Sequence, residues 1–213
     1  MSADRVARLE DVARQIRECD KCRLVENTTN AVPGYGDASA DILFIGEAPG
    51  AEEDKQGLPF VGRSGKYLDY LLNLIGMKRE DVFIANMVKH RPPKNRDPQK
   101  DELAACKPFL DMQFEIIDPL VVVTLGRFSM SRYFTGDVKI SRIHGQARYD
   151  DDRAYYPLYH PAAALRNPNL RHDMEADIKR IPSVVEEMRK RRGGADDVLP
   201  AGDDDEPTQL PLF

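Results

Sequence analysis

The chain has 213 residues, of which 41% are hydrophobic, and its formal net charge is −5. This length supports one sizeable core and is too short for two ordinary enzyme domains. No segment approaches the roughly 20 apolar residues of a membrane span, and the N-terminal pattern is amphipathic without the apolar region of a signal peptide. We therefore expect a soluble, cytoplasmic protein and no membrane partner.

The negative charge is concentrated in residues 193–213, which hold six acidic residues and no Lys or Arg. They contribute −6 to the total of −5, which leaves +1 on residues 1–192. Charges act over a Debye length of about 8–10 Å, so local basic patches on a near-neutral body can bind a phosphate backbone. The acidic composition therefore does not exclude DNA as a partner.

The hydrophobic pattern predicts strands that alternate with helices. In chain order we predict a helix over 3–18, a strand over 41–46, a helix over about 68–76, a strand over 81–88, a helix over 99–117, strands over 120–126 and 154–160, and a helix over 169–191. This order predicts an α/β fold whose mainly parallel, four-stranded sheet is covered on both faces. Residues 193–213, rich in Gly, Asp and Pro, are predicted to be a disordered tail behind a single domain over 1–192.

Cysteine spacing is the first pattern that points to chemistry. Cys19 and Cys22 form a CxxC pair, Cys106 is the only other thiol, and His90 lies sixteen residues before it. An imidazole can supply the fourth ligand that three thiols lack. The spacing alone leaves open a zinc site, an iron–sulfur cluster, or a reduced pair of thiols with an unrelated buried cysteine.

Chemically capable side chains also follow the predicted strands. Glu47 comes directly after the first strand, Asn86 ends the second, and His160 follows the fourth. The carboxyl ends of parallel strands share one edge of a sheet, where active sites gather. Each residue taken singly is also typical of a turn or a strand cap, so the combination carries more weight than any member.

Several longer motifs occur in series: GEAPG followed by ED, GLPFVG, ANMVKHRPPKNRDP, LVVVTLG and YHPAAALRNP, together with the CxxC pair and the later Cys. They resemble the family 4 uracil-DNA glycosylases from about residue 19 to residue 177. The resemblance implies a three-layer αβα sandwich that carries a [4Fe–4S] cluster. It also implies an enzyme that removes uracil from single- or double-stranded DNA and leaves an abasic site.

The resemblance implies that the cluster is held by Cys19, Cys22, His90 and Cys106, although the family usually has Cys in place of His90. The related covalent uracil-binding glycosylases also have His there, but they trap DNA through another His in an inserted Arg-Ile-His loop. This sequence lacks that insertion, so we expect turnover. A covalent uracil trap and a non-catalytic iron–sulfur DNA-binding module stay open as alternatives.

Roles for the site residues follow from the same resemblance. Around the uracil we expect Phe60, which stacks on the base, Asn86, which pairs with its O4 and N3–H edge, and the turn residues Gly46 and Ala48. His160 is expected to donate to O2 of the leaving uracil anion. Glu47 is expected to stabilise the cationic sugar and to position water, with Asp54 as a second candidate.

Two further interactions are expected outside the chemistry. The basic residues expected to contact phosphates are Lys89, Arg91, Lys94, Arg96 and Arg166, although a charge run is also typical of a solvated surface. The C-terminal residues Gln209, Leu210, Leu212 and Phe213 resemble the peptides with which bacterial repair proteins bind the sliding clamp. We therefore expect a monomer that is associated with the nucleoid and binds uracil-containing DNA and a sliding clamp.

Overall fold

The computed structural model describes residues 2–196 of the protein. Its helices are α1 (Ser2–Arg17), α2 (Ala51–Gln56), α3 (Arg63–Asn73), α4 (Lys100–Ile117), α5 (Arg127–Ser131), α6 (Ile140–Ile143), α7 (Pro161–Arg166), α8 (Leu170–Ile178) and α9 (Ile181–Asp196). Its strands are β1 (Tyr35–Gly36), β2 (Ile42–Gly46), β3 (Phe83–Asn86), β4 (Val121–Leu125), β5 (Arg148–Tyr149) and β6 (Ala154–Leu158). Residues 197–213, and with them Gln209, Leu210, Leu212 and Phe213, lie outside the described residues.

The strands form one six-stranded mixed sheet in the order β1-β3-β2-β4-β6-β5. The four inner strands are parallel, since β2 pairs in parallel with both β3 and β4, and β4 pairs in parallel with β6. The strands β1 and β5 add two residues each in antiparallel orientation at the edges. The four predicted strands are therefore present, but the expectation of a four-stranded sheet is corrected to six strands.

The sheet is buried on both faces because its inner strands are continuous apolar runs. Successive residues such as Leu43 and Phe44 belong to different core clusters, as the two-residue period of a strand requires. One cluster contains apolar side chains of α3, α8 and α9, and the other contains those of α1 and α4. Helices therefore cover both faces of the sheet, which confirms the predicted α/β class.

The predicted last helix over 169–191 is two helices. The first ends at Ile178 and the second begins at Ile181, so the chain leaves the helical path between them. Pro182 explains the break, because proline has no N–H to donate and disfavours the helical conformation in the residue before it. The second helix continues to Asp196, beyond the predicted end and into the first residues of the predicted tail.

Within residues 2–196, each helix is too short or too polar to cross a membrane. The parallel order has a direct consequence for the site. The ends of β2, β3, β4 and β6 meet at one edge of the sheet, so the segments that follow them are brought together.

Candidate active site

A cleft of about 550 Å³ opens at the carboxyl ends of the four parallel strands. Each strand contributes to its lining: Glu47 follows β2, Asn86 ends β3, Gly126 follows β4 and His160 follows β6. Ala48 and Phe60 also line it. The structure thus brings together most of the side chains that the sequence predicted at the site.

Asn86 is the most deeply buried polar side chain of the cleft, with 1% of its surface exposed. Its Oδ1 has no hydrogen-bond partner among the residues that the structure describes. An unpaired buried acceptor is costly, so this oxygen calls for a ligand N–H.

Gly46 lies directly against the side chains of Phe60 and Asn86. A Cβ at this position would lie 2.3 Å from Asn86 Oδ1 and 2.7 Å from two ring atoms of Phe60. Such distances are impossible without moving one of these groups. Gly46 therefore has a steric role, because only a residue without a side chain leaves room for both Phe60 and Asn86.

Phe60 has a backbone φ of 52°, in the left-handed region that bulky residues rarely adopt. Its ring is 4% exposed and stacks against the imidazole of His160, with 5.6 Å between the ring centroids. Gly65 makes the tight turn possible, because a Cβ there would lie 1.7 Å from the Phe60 carbonyl oxygen.

His160 caps the N-terminus of α7. Its Nδ1 accepts a hydrogen bond from the Ala162 N–H at 3.1 Å. Burial, assisted by the positive charge of Arg166, lowers the pKa of His160 to about 4, although Glu53 acts in the opposite direction. The ring is therefore neutral at physiological pH, and because Nδ1 is the acceptor the proton lies on Nε2.

Glu47 is a half-buried carboxylate at the wall of the cleft. Burial, assisted by the negative charge of Asp97 and opposed by Arg127 and Arg166, raises the pKa of Glu47 to about 7. A carboxyl group that titrates near neutral pH suits general base chemistry or the stabilisation of a nearby cation.

Asp54, the second catalytic candidate, is not in the cleft. Its Oδ1 accepts hydrogen bonds from the backbone N–H groups of Thr29 at 2.8 Å and Asn30 at 3.3 Å. The side chain is 5% exposed and anchors the segment after the CxxC pair. The prediction of a catalytic role is corrected: Glu53, not Asp54, lines the cleft.

Lys89 was expected to contact DNA, and the structure excludes this because the residue is fully buried. Its Nζ donates to the Asn86 carbonyl oxygen at 2.9 Å and to Gln113 Oε1 at 2.7 Å. Lys89 therefore ties the end of β3 to α4, and no phosphate reaches it.

The other predicted basic contacts differ in their surroundings. Arg166 is exposed and lines the cleft, whereas Arg96 lines the cleft but forms a two-pronged ion pair with buried Glu102, at 2.8 and 2.5 Å. Arg91 donates through Nε to Asn95 Oδ1 at 2.7 Å, and Lys94 is exposed; both lie outside the cleft lining.

Arg127 is a cleft residue that the sequence reasoning missed. It follows β4 at the same sheet edge and pairs with Asp97 across 2.8 Å. Its position directly after LVVVTLG was the signal, since this is the strand-end position that pointed to Glu47 and Asn86.

The three cysteines lie in one region. Cys106 belongs to the core cluster between the sheet and α4, and Cys19 and Cys22 pack against that cluster. The Lys89 N–H donates to Cys106 Sγ at 3.3 Å, directly beside His90. Within residues 2–196, however, no three His, Cys, Asp or Glu side chains converge closely enough to hold a metal ion in this conformation.

One acidic residue links the segments that carry the predicted ligands. Glu102 forms ion pairs with Arg23, which follows Cys22, and with Arg96 from the loop after His90. Hydrogen bonds from Arg96 contribute most to lowering the pKa of Glu102 to about 2. The types of donor fit an iron–sulfur or zinc site, and their segments share this anchor on α4.

Comparison with known proteins places this site in a family. The family model of the uracil DNA glycosylase superfamily matches residues 33–181. The chain is 47% identical over 186 residues to the type-4 uracil-DNA glycosylase of Sulfurisphaera tokodaii, a match that covers 83% of this chain and 84% of that protein. The chain belongs to the type-4 uracil-DNA glycosylases.

Two further relatives belong to two different types of uracil-DNA glycosylase. The type-4 uracil-DNA glycosylase of Archaeoglobus fulgidus is 45% identical over 181 residues, which cover 81% of this chain and 91% of the relative. The type-5 uracil-DNA glycosylase of Thermus thermophilus is 34% identical over 114 residues, or 46% of this chain and 52% of that protein. The match to this type-4 relative therefore extends over more of the chain than the match to this type-5 relative.

Proposed function

We propose that this protein is a monofunctional uracil-DNA glycosylase, which rotates uracil out of DNA and hydrolyses its N-glycosidic bond to leave an abasic site. The observation that carries the proposal is the buried Oδ1 of Asn86, which has no hydrogen-bond partner within residues 2–196 and lies beside Phe60 in a cleft at the sheet edge. The family membership supports it. A base within the duplex is out of reach, so the nucleotide must first leave the stack, at a cost of about a few kcal/mol.

Recognition of uracil rests on Asn86. Its Oδ1 accepts from the uracil N3–H and its amide N–H donates to O4, while Phe60 stacks on the face of the base and the turn residues Gly46 and Ala48 close the pocket. Cytosine has an acceptor at N3 and donors at its amino group, so both interactions are reversed. No donor reaches Oδ1 from the described part of the chain, which favours this assignment because uracil supplies one.

Departure of the base leaves a uracil anion with charge at O2. A neutral His160 that donates through Nε2 stabilises this charge more in the transition state than in the ground state. The low pKa of His160 supports a role as hydrogen-bond donor and argues against proton transfer from an imidazolium.

Glu47 acts on the sugar side. As the bond lengthens, positive charge develops on the sugar, and a nearby carboxylate both stabilises this charge and orients the attacking water. Asp54 is withdrawn from this role because it faces the Thr29–Asn30 backbone. Glu47 is therefore the proposed catalytic carboxylate.

DNA is proposed to lie across the cleft mouth. Arg166 and Arg127 are the exposed cations of the lining, and Arg91 and Lys94 extend the basic surface beside it. Arg96 acts mainly through its ion pair with Glu102, which fixes the loop after His90. We propose that residues 1–192 form the DNA-binding and catalytic unit and act as a monomer.

A [4Fe–4S] cluster is proposed to be held by Cys19, Cys22, His90 and Cys106. Bound there, it would fasten the CxxC segment to α4 and to the loop that carries the basic residues. Cys106 Sγ already accepts an N–H, as cluster sulfurs commonly do, and Glu102 holds the adjoining segments. The support is the chemistry of the donors and the position of the three cysteines at one core cluster.

The C-terminal segment with Gln209, Leu210, Leu212 and Phe213 is proposed to bind a sliding clamp. The support is its sequence: an apolar tip follows an acidic spacer of sixteen residues, 193–208. As a flexible coil such a spacer would span on the order of 20–25 Å, enough to tether the enzyme at the clamp while it searches DNA.

The deciding experiment measures free uracil released from an oligonucleotide with one uracil, with the same oligonucleotide carrying thymine as the control. We expect release from the uracil substrate alone, with multiple turnovers. A protein–DNA adduct stable in a denaturing gel would instead indicate a covalent trap, and binding without release would indicate a non-catalytic module.

A further inference from the structure

The peptide unit between Phe60 and Val61 is held at both ends by side chains of opposite charge. Arg79 Nη2 donates to the Phe60 carbonyl oxygen at 3.0 Å and to the Pro59 carbonyl oxygen at 2.9 Å. On the other side of the same peptide, Glu53 Oε1 accepts the Val61 N–H at 2.9 Å. The two charged residues come from different parts of the chain and meet at one peptide bond.

Glu53 also joins this loop to the turn that carries Glu47. Its Oε1 accepts the Gly62 N–H at 2.9 Å, and its Oε2 accepts the Gly50 N–H at 3.1 Å. The hydrogen bond to Gly50 is an ordinary helix-capping interaction of α2. The two bonds to the Phe60 loop are additional, and they leave a carboxylate that is only 8% exposed with three donors.

Arg79 is itself held in place. Its Nε lies 3.4 Å from Asp69 Oδ1, and its guanidinium lies over the ring of Tyr35, 5.4 Å from the centroid. A guanidinium fixed by an ion pair and an aromatic ring presents its remaining N–H groups in a defined direction. The carbonyls of the Phe60 loop therefore meet a rigid donor.

The conformation that these contacts hold is one that Phe60 would not adopt alone. Its φ of 52° is unfavourable for a bulky side chain and persists only where the surroundings enforce it. A change in this φ would swing the ring away from Gly46 and Asn86. The position of the aromatic wall thus depends on the two charged side chains.

We propose that Glu53 and Arg79 are positioning residues for uracil recognition: together they set the strained conformation of Phe60 before substrate arrives. The inference rests on the proposed function, because it concerns the base that Phe60 stacks upon. Ordering the wall in advance removes an entropic cost from uracil binding and fixes the ring relative to Asn86. Neither residue needs to touch the reacting atoms.

The test compares Glu53→Gln and Arg79→Gln with two neighbours as controls. Glu52→Gln alters an exposed carboxylate that pairs with Lys55, and Lys78→Gln alters an exposed cation beside Arg79. We expect Glu53→Gln and Arg79→Gln each to lower kcat/KM for uracil release by about ten- to a hundredfold, since misplacement by about 1 Å has effects of this size. The controls should match the unmodified protein.

A second measurement separates positioning from general damage. DNA with a tetrahydrofuran site lacks a base, so Glu53→Gln and Arg79→Gln should bind it with unchanged affinity. Inhibition by free uracil should weaken in both variants by a factor similar to the loss in kcat/KM. The double variant should lose less than the product of the single losses, because both residues act on one peptide unit. Arg79→Lys, which retains a positively charged donor group but not the planar guanidinium, should recover part of the activity relative to Arg79→Gln.

The outcomes distinguish the two proposals. If the unmodified protein releases no uracil, the proposed function fails. If the unmodified protein is active and the folded Glu53→Gln and Arg79→Gln variants excise uracil as the controls do, the inference fails. Equal losses in uracil inhibition and in affinity for tetrahydrofuran DNA would also overturn it. Circular dichroism checks that each variant is folded, and Arg79→Lys takes the place of Arg79→Gln if that variant does not fold.

Discussion

The ring of Phe60 lies nearly parallel to the imidazole of His160, with 29° between the two planes. A base that stacks on Phe60 beside His160 would therefore lie close to the imidazole plane. In that arrangement the Nε2–H of His160 meets a carbonyl oxygen of the base edge-on, the favourable direction for a hydrogen bond to an sp² oxygen. In the proposed mechanism, Phe60 would thus orient the base towards the N–H donor of His160.

The first prediction concerns the carboxylate. Glu47→Gln retains the shape of the side chain but removes its charge, so uracil-DNA binding should remain while kcat falls by about 10²–10⁴-fold. Single-turnover excision and equilibrium binding on the same oligonucleotide measure the two effects. Excision at the unmodified rate would remove Glu47 from the mechanism.

The second prediction is a pH profile. Because the pKa of Glu47 is about 7, kcat/KM should rise with pH through this value and then level as the carboxyl group loses its proton. His160, with a pKa of about 4, stays neutral above about pH 5, so its titration should not change kcat/KM in that range. The rising limb should be absent in Glu47→Gln, and its persistence would assign the titration to another group.

His160 gives the third prediction. His160→Ala removes the Nε2–H donor, so kcat should fall by about 10²–10³-fold, as for the loss of an oxyanion donor. Affinity for tetrahydrofuran DNA should be retained, because that ligand has no base to stabilise. If excision were lost in proportion to binding, His160 would be needed for structure alone.

The fourth prediction tests the floor of the pocket. Gly46→Ala places a methyl group within 2.3 Å of Asn86 Oδ1 and should reduce uracil excision by more than about tenfold. Gly193→Ala is the matched control, since a Cβ there meets nothing within 4 Å among the described residues. Thermal melting should show both variants folded; normal excision by Gly46→Ala would contradict the proposed pocket.

The fifth prediction concerns the cluster ligands. Anaerobically purified protein should be brown and contain iron and sulfide, and Cys106→Ser should lose both. His90→Cys should retain or strengthen the cluster, because thiolate is the ligand expected at this position from the resemblance. Stoichiometric zinc without iron would refute the cluster.

The inner strands were predictable from sequence because each is a continuous apolar run, and their parallel order followed from the helices between them. Strands β1 and β5 were missed because a strand of two residues is too short to show an alternating hydrophobic pattern. The break between α8 and α9 had a visible signal in Pro182, which the surrounding apolar spacing obscured.

The site was predicted less evenly than the sheet. Glu47, Asn86 and His160 follow strands, so topology alone brings them to one edge. Lys89 resembled a DNA contact because it precedes a basic loop, yet its partner Gln113 is 24 residues away in sequence and becomes its neighbour only on folding. Local sequence does not report such partners.

The shortness of the two edge strands has a consequence for how these molecules behave in a crowded solution. A parallel sheet with long open edges offers rows of unpaired N–H and C=O groups to another chain, and such rows template aggregation. Here each edge strand is two residues long, and β1 includes Gly36, where a Cβ would lie 1.8 Å from the Val82 carbonyl oxygen. Very short edge strands offer another chain few groups to pair with, so we expect edge-to-edge association of these sheets to be disfavoured at both borders.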